Sequence, residues 1–145
     1  MMMRKLLYKA AALTVLCLAA LSCGKSNKDS ETKSLKVTGS WVLSRVETKA
    51  PTVGDVPVEI YIDFASGSAF TLYQKLGEGK FTKFTGTYTV SGKELSGSYT
   101  GGSAWGPYEM ELSEDQLVLS KADGVERDVY SKIDAIPTTV LSNVY

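Results

Sequence analysis

The amino-acid sequence predicts an all-β fold, an eight-stranded antiparallel up-and-down barrel, within residues 39–145. Short stretches in which apolar and polar residues alternate recur along this region, and such period-two alternation is typical of strands with one buried face. Turn residues, mostly with glycine, separate the stretches. Most connections have about two to five residues, which suits hairpins and is too short for the crossovers that join parallel strands.

The clearest alternating stretch is 58–64, in which Val, Ile, Ile and Phe point one way and Glu, Tyr and Asp the other. A helix would scatter these apolar side chains around its circumference. Eight consecutive antiparallel strands can form a closed barrel or two stacked sheets, and their near-even length favours the barrel, which leaves no exposed edge. The predicted strands are 41–48, 58–64, 69–75, 82–90, 94–100, 108–113, 116–121 and 125–133.

The start of the chain has the features of an export signal. Residues 1–9 are basic, residues 10–21 are uncharged and mostly apolar, and Ser22 and Cys23 follow directly. The apolar run of 12 residues is too short to cross a bilayer core of about 30 Å as a helix. The stretch LAALSC resembles the lipobox of bacterial lipoproteins, although alanine replaces the usual leucine three residues before the cysteine. The resemblance implies a signal peptide at 1–22 and an acyl anchor, such as palmitate, on Cys23.

A polar segment separates this signal from the barrel. Residues 24–38 contain one leucine, one valine, no aromatic residue and six charges of mixed sign. Such a composition buries too little apolar surface to fold, so we expect residues 23–38 to be a lipidated flexible tether, spanning roughly 20 Å. The residue after the cysteine is Gly24 and not an aspartate. By resemblance to bacterial lipoproteins, this implies a cell-envelope protein that is sorted to the outer membrane, on either of its faces.

Composition excludes several classes of function. Three of the 16 basic residues (Arg4, Lys5 and Lys9) and none of the 16 acidic residues belong to the signal, so the remaining chain has a formal charge of −3 and we expect no nucleic-acid partner. The chain has no histidine, which removes the usual general base, zinc ligand and Ser-His or Cys-His pair. Cys17 leaves with the signal and Cys23 is capped, so no internal disulfide forms. We expect no catalytic residue, no metal and no cofactor.

The first strand opens with a Gly-x-Trp motif at Gly39 and Trp41. With the meander behind it, this motif resembles the lipocalins, and especially the lipocalin-like lipoproteins of Gram-negative bacteria. The stretches GTYTVSGKELSGSY and YEMELSEDQLVLS resemble the middle hairpins of that family. The resemblance covers residues 39–133 and implies a calycin-type barrel, a structural role for Gly39 and Trp41, and a basic residue, Lys132 by position, packed across the tryptophan. The central Thr-Asp-Tyr signature of the family is absent, which indicates a small, divergent member.

Alternating connections assign the two ends of the barrel. Counted from Trp41, the two longest connections, 49–57 and 101–107, lie at the same end, whereas the connections at the other end are tight turns. Longer loops over one end and short turns at the other predict a cup with a single opening.

Inward-facing positions near this opening are predicted to line a small-molecule site, because they mix apolar bulk with a few polar groups. Arg127 is either a ligand anchor or the partner of a barrel carboxylate, and Trp105, on the 101–107 loop, is either a cap over the ligand, a contact for a protein or a lid over the core. The predicted ligand-binding residues are Val58, Ile60, Leu72, Gln74, Phe84, Tyr99, Trp105, Tyr108, Met110 and Arg127.

The favoured function is a membrane-anchored lipoprotein that binds a small hydrophobic or amphiphilic molecule in its barrel. The alternative is a protein-interaction or inhibitor module that uses the tether and the loops of the open end, with no partner identified. An enzyme is disfavoured, because most carboxylates alternate outward as a solvated face. Residues 134–145 allow either a short helix begun by Pro137 or a further strand.

Overall fold

The computed structural model describes residues 36–49 and 56–145. Lys36–Tyr145 forms one compact unit. The predicted signal peptide, 1–22, and the predicted tether as far as residue 35 lie outside the described residues, so both stay predictions. No helix among the described residues is long and apolar enough to cross a membrane.

Eight antiparallel strands form a closed barrel, which confirms the predicted fold class. Each strand pairs with the next along the chain, and the last pairs with the first, where Trp41 lies opposite Lys132. All strands but the sixth begin and end within two residues of their predicted positions. The strands are β1 (Gly39–Thr48), β2 (Val58–Phe64), β3 (Ala69–Leu76), β4 (Thr82–Ser91), β5 (Glu94–Tyr99), β6 (Ala104–Leu112), β7 (Gln116–Ser120) and β8 (Glu126–Ile133).

The interior of the barrel is the main core, and the strand alternation generates it directly. In β2, Ile62 and Phe64 are 5% and 3% exposed, and Phe64 pairs across the sheet with buried Phe70 of β3. Paired inward residues on neighbouring strands are the unit that stabilises a sheet. The buried cluster comprises Val37, Trp41, Ile62, Phe64, Phe70, Tyr88, Leu95, Met110, Leu117, Leu119 and Tyr130.

The sixth strand departs from the prediction. It begins at Ala104, so the predicted loop 101–107 is wrong, and the connection from β5 to β6 is the shorter segment 100–103. The Gly-Pro pair at 106–107 suggested a break, but Gly106, with φ of +77°, sits where the pairing of β5 with β6 shifts register. The chain therefore passes through an irregularity without leaving the sheet, which is the usual place for glycine and proline within strands.

Trp41 fills the closed end of the barrel. Its side chain is fully buried, and its indole Nε1 donates a hydrogen bond of 2.8 Å to the carbonyl of Val37, itself 3% exposed. The Lys132 ammonium lies 5.2 Å from the centre of the indole ring, which is the contact that the family resemblance implies. Val37 belongs to the predicted tether segment, so the packed body extends two residues beyond the predicted boundary at Gly39.

The C-terminal segment forms the predicted short helix, and the alternative of a strand over residues 138–141 is wrong. A short helix, α1 (Thr138–Leu141), follows Pro137, and Val144 then forms a parallel bridge with Phe81. Val140 of α1 and Phe81 are both 3% exposed. They form a second apolar cluster on the outer wall of the barrel, with Tyr61, Tyr73, Ile136 and Val144.

Candidate functional site

A cavity of about 80 Å³ lies inside the barrel. A single water needs at least about 10–15 Å³ of such space and takes up about 30 Å³ in the liquid, so this cavity holds only a few waters and suits a slim group, not a bulky one. Its wall combines four of the predicted ligand-binding residues with six others. The lining residues are Ile62, Phe64, Phe70, Leu72, Tyr99, Trp105, Tyr108, Leu119, Asp128 and Tyr130.

Aromatic rings form one side of the cavity. The ring of Phe70 meets the rings of Trp105 and Tyr99 edge to face, with centroids 5.3 and 5.7 Å apart. Two glycines give these rings their space. A Cβ at Gly86 would lie 2.7 Å from Phe70, and one at Gly97 would lie 2.5 Å from the Trp105 ring. The rings of Phe70 and Trp105 therefore pack directly against these two glycines, and this packing sets their positions.

The polar part of the lining consists of three phenols, one carboxylate and one indole N–H. Burial raises the pKa of the Tyr99 and Tyr130 phenols, so both are neutral donors in the cavity. Burial, together with the charge of nearby Glu126, also raises the pKa of Asp128. The Nε1 of Trp105 is buried and has no hydrogen-bond partner among the residues that the structure describes. Apolar walls with a few such groups are the composition of a small-molecule site.

Arg127 does not line the cavity, and its prediction as an inward-facing residue is wrong. Its guanidinium lies on the outer wall, where Nη1 is 3.4 Å from the Glu47 carboxylate and Nη2 is 3.2 Å from that of Glu111. Glu47 also accepts a 2.8 Å hydrogen bond from Arg45, and Arg45 and Arg127 together lower the pKa of the Glu47 carboxyl. Of the two predicted roles for Arg127, the salt bridge to a barrel carboxylate is the one observed, although on the outside.

The misassignment of β8 has a physical cause. Val129 is apolar, and alternation that places this apolar residue inward also places Arg127 inward. In the structure Val129 is buried, at 1% exposure. It faces outward, however, beside its cross-strand partner Val118, which is also buried. Asp128 and Tyr130 consequently point inward, so this strand carries its polar residues on the inner face and a valine on the outer face. Apolarity alone therefore gave the wrong phase for this strand.

Four of the predicted ligand-binding residues line the cavity: Leu72, Tyr99, Trp105 and Tyr108. Trp105 does so from within β6 and not from a loop over the opening. Among the others, Val58 lies 40% exposed at the open end and Met110 is 8% exposed in the core cluster. Ile60, Gln74 and Phe84 are half-buried.

Asp128 and Tyr130 line the cavity without having been predicted from the sequence, and Ile62, Phe64 and Phe70 were likewise absent from the predicted site. A signal for Tyr130 exists in the sequence, because a tyrosine next to Val129 offers an alternative inward phase. That phase would also have placed Lys132 on the same face as Trp41, as the family resemblance required.

A family model described as a lipocalin-like domain matches residues 37–119, which is more than half of the chain. Comparisons with curated proteins and with solved structures found no match. The matched region begins at the buried Val37 and includes Gly39, Trp41 and seven of the eight strands, the seventh as far as Leu119. The family is generally a non-enzymatic binding fold, and a barrel of this kind suggests binding of a small molecule. The chain belongs to the lipocalin-like domain family.

Proposed function

We propose that this protein binds a small, partly hydrophobic molecule inside its barrel while a lipid anchor on Cys23 holds it at the cell envelope. The observation that carries the binding proposal is the cavity of about 80 Å³, lined by aromatic and aliphatic side chains with a few polar groups among them. Such sites bind by burying the apolar part of a ligand and orient it through the few polar contacts.

The dimensions of the cavity favour a slim ligand. Leu72, Leu119 and Ile62 provide aliphatic wall, and the rings of Phe70 and Trp105 provide flat wall. A short alkyl chain or a single ring is slim enough to suit such a space. Each methylene that leaves water contributes about 0.8 kcal/mol to the binding free energy.

The anchor and the location rest on the sequence. The lipobox-like stretch that ends at Cys23 supports acylation, and Gly24 after it supports sorting to the outer membrane. Acyl chains supply the membrane affinity of such proteins, so the barrel itself needs no membrane-spanning element.

Titration of the purified protein with eight-carbon amphiphiles, followed by tryptophan fluorescence and by native mass spectrometry, tests the binding proposal. Leu72→Phe narrows the cavity and should weaken binding at least tenfold. Thr71→Phe adds a ring at the neighbouring position, which faces outward on the same strand, and should change affinity less than twofold. Thermal melts verify that both variants fold. If no amphiphile binds the parent protein, or if both variants lose affinity equally, the cavity is not the binding site.

A second candidate function, contact with a protein partner, is favoured by an exposed apolar rim. Val58 pairs with Leu76 across β2 and β3, Val56 lies beside Gly77, and Val56, Val58 and Leu76 are 40–61% exposed. Contiguous exposed apolar residues are typical of interaction surfaces. A photo-crosslinking residue at position 76, compared with one at the exposed Thr89 near the opposite end, tests this. Protein adducts at position 76 alone support the second candidate, and equal or absent labelling contradicts it.

A further inference from the structure

We infer that the ligand of the cavity carries a protonated amine, and that Asp128 pairs with it. The inference rests on the proposed binding function and adds the charge of the ligand to it. Among the residues that line the cavity, Asp128 is the one with an ionisable acidic or basic group apart from the tyrosine phenols. Its position in β8 is opposite Val46 of β1 and Leu119 of β7, so apolar side chains flank the carboxylate on both neighbouring strands.

The cations near Asp128 are engaged elsewhere. Arg127, the next residue, faces outward to Glu47 and Glu111. The Lys121 ammonium is 2.8 Å from the Glu126 carboxylate, and Lys132 lies over Trp41 at the closed end. In the part of the chain that the structure describes, no cation forms an ion pair with Asp128.

A half-buried carboxylate without a partner is costly, and the cost falls when a cation is supplied. Burial and Glu126 both raise the pKa of Asp128, whereas Lys121 acts in the opposite direction and more weakly. The phenols of Tyr99 and Tyr130 share the cavity, and burial raises the pKa of both, so they carry no competing charge. An ammonium group would therefore meet one carboxylate and no cation among the residues that line the cavity.

The aromatic wall favours the same ligand class. Phe70, Tyr99, Trp105 and Tyr108 surround the space beside Asp128, and ring faces attract ammonium groups. A carboxylate ligand such as a fatty acid would place like charge against Asp128 without a basic residue in the lining to compensate. The cavity thus selects a slim amine on an alkyl chain or a single ring.

Three ligands with the same chain length distinguish the effect of the head group on affinity from that of the chain. They are octylamine, octanol and octanoate, titrated at pH 7 into the full mature protein. We expect octylammonium to bind at least tenfold more tightly than octanol, and octanoate to bind most weakly. Asp128→Asn, which keeps the shape of the side chain, should weaken octylamine at least tenfold and change octanol less than twofold. Arg127→Gln, the adjacent outward position, should leave all three affinities within twofold.

The outcomes distinguish this inference from the proposed function. If octanol or octanoate binds the parent as tightly as octylamine, or if Asp128→Asn leaves octylamine affinity unchanged, the amine inference is overturned and binding in the barrel stands. If none of the three ligands binds the parent, both fail. The comparison of ligands on the parent protein decides the question even where a variant does not fold.

Discussion

Trp41 stabilises the closed end of the barrel through three kinds of contact. Its ring is fully buried, its Nε1 bonds the Val37 carbonyl, and the Lys132 ammonium lies 5.2 Å from the ring centre. Burial removes a large apolar surface from water, the hydrogen bond satisfies the one polar atom, and the cation covers the ring face. The Gly-x-Trp motif is therefore structural in this protein, and its loss would open the base of the core.

Trp41→Ala should lower the free energy of unfolding by about 3–5 kcal/mol, as expected for truncation of a large buried aromatic residue. Urea denaturation followed by circular dichroism measures the change. Val90→Ala, near the same end but at a position 42% exposed, is the control and should cost about 1 kcal/mol or less. A Trp41→Ala variant with the stability of the parent would show that the ring does not close the barrel.

The glycines of the barrel wall matter as much as its rings. Gly97→Ala should displace the Trp105 ring, because the added Cβ would lie 2.5 Å from a ring carbon and would also collide with the Thr87 carbonyl. We expect a shifted tryptophan emission, a changed cavity and a stability loss of about 1–3 kcal/mol. Gly67→Ala, where no heavy atom lies within 4 Å of the added carbon, is the matched control. Identical emission spectra for the two variants would contradict this fit between Gly97 and Trp105.

At the scale of single elements, strand existence could be predicted from the sequence and strand phase could not always be. β2 alternates strictly, so its bounds and its inward face were both predicted. β8 places Val129 outside and Asp128 inside, because the outer wall has its own buried valine pair. Periodicity shows which residues are apolar, but not whether the core or the outer wall buries them. A buried apolar residue on the outer wall therefore leads to the wrong inward face.

The sixth strand shows the corresponding limit for element boundaries. Glycine and proline usually break strands, yet here they form an irregularity inside β6 that keeps both Trp105 and Tyr108 facing the cavity. These two residues are three apart, which no regular alternation allows on one face. Two of the six aromatic residues that line the site therefore depend on a local backbone feature that propensity alone assigns to a loop.

The helix α1 packs on part of the outer wall of the barrel. The variant Val140→Ala should show that this packing stabilises the protein. Val140 packs with Phe81 and Tyr73 and is 3% exposed, whereas its neighbour Leu141 is 49% exposed. We expect Val140→Ala to destabilise the protein by about 1–3 kcal/mol and Leu141→Ala to have less effect, although it removes more carbon. Thermal melts of both variants measure this, and equal losses would contradict the assigned packing.

At the scale of the whole molecule, the two ends of the barrel have different roles. The described chain enters at the end where Val37 lies against Trp41, and the exposed residues Val56, Val58 and Leu76 lie at the other end. The charged pairs of Arg45, Glu47, Glu111 and Arg127 occupy the outer wall. In the proposed arrangement of an anchored cup, attachment at this end would leave the open end unobstructed for a ligand.

The anchor itself is tested by Cys23→Ala. Without the thiol no acyl chain can be attached, so the variant should either leave the membrane fraction or accumulate as an uncleaved precursor that keeps residues 1–22. Cell fractionation, metabolic labelling with palmitate and the intact mass of the product measure these outcomes. Cys17→Ala removes the other cysteine of the chain and, because that residue lies within the predicted signal, should leave labelling and attachment unchanged. Normal processing and unchanged membrane attachment of Cys23→Ala would refute the lipid anchor, while the fold and the cavity of the barrel would be untouched by that result.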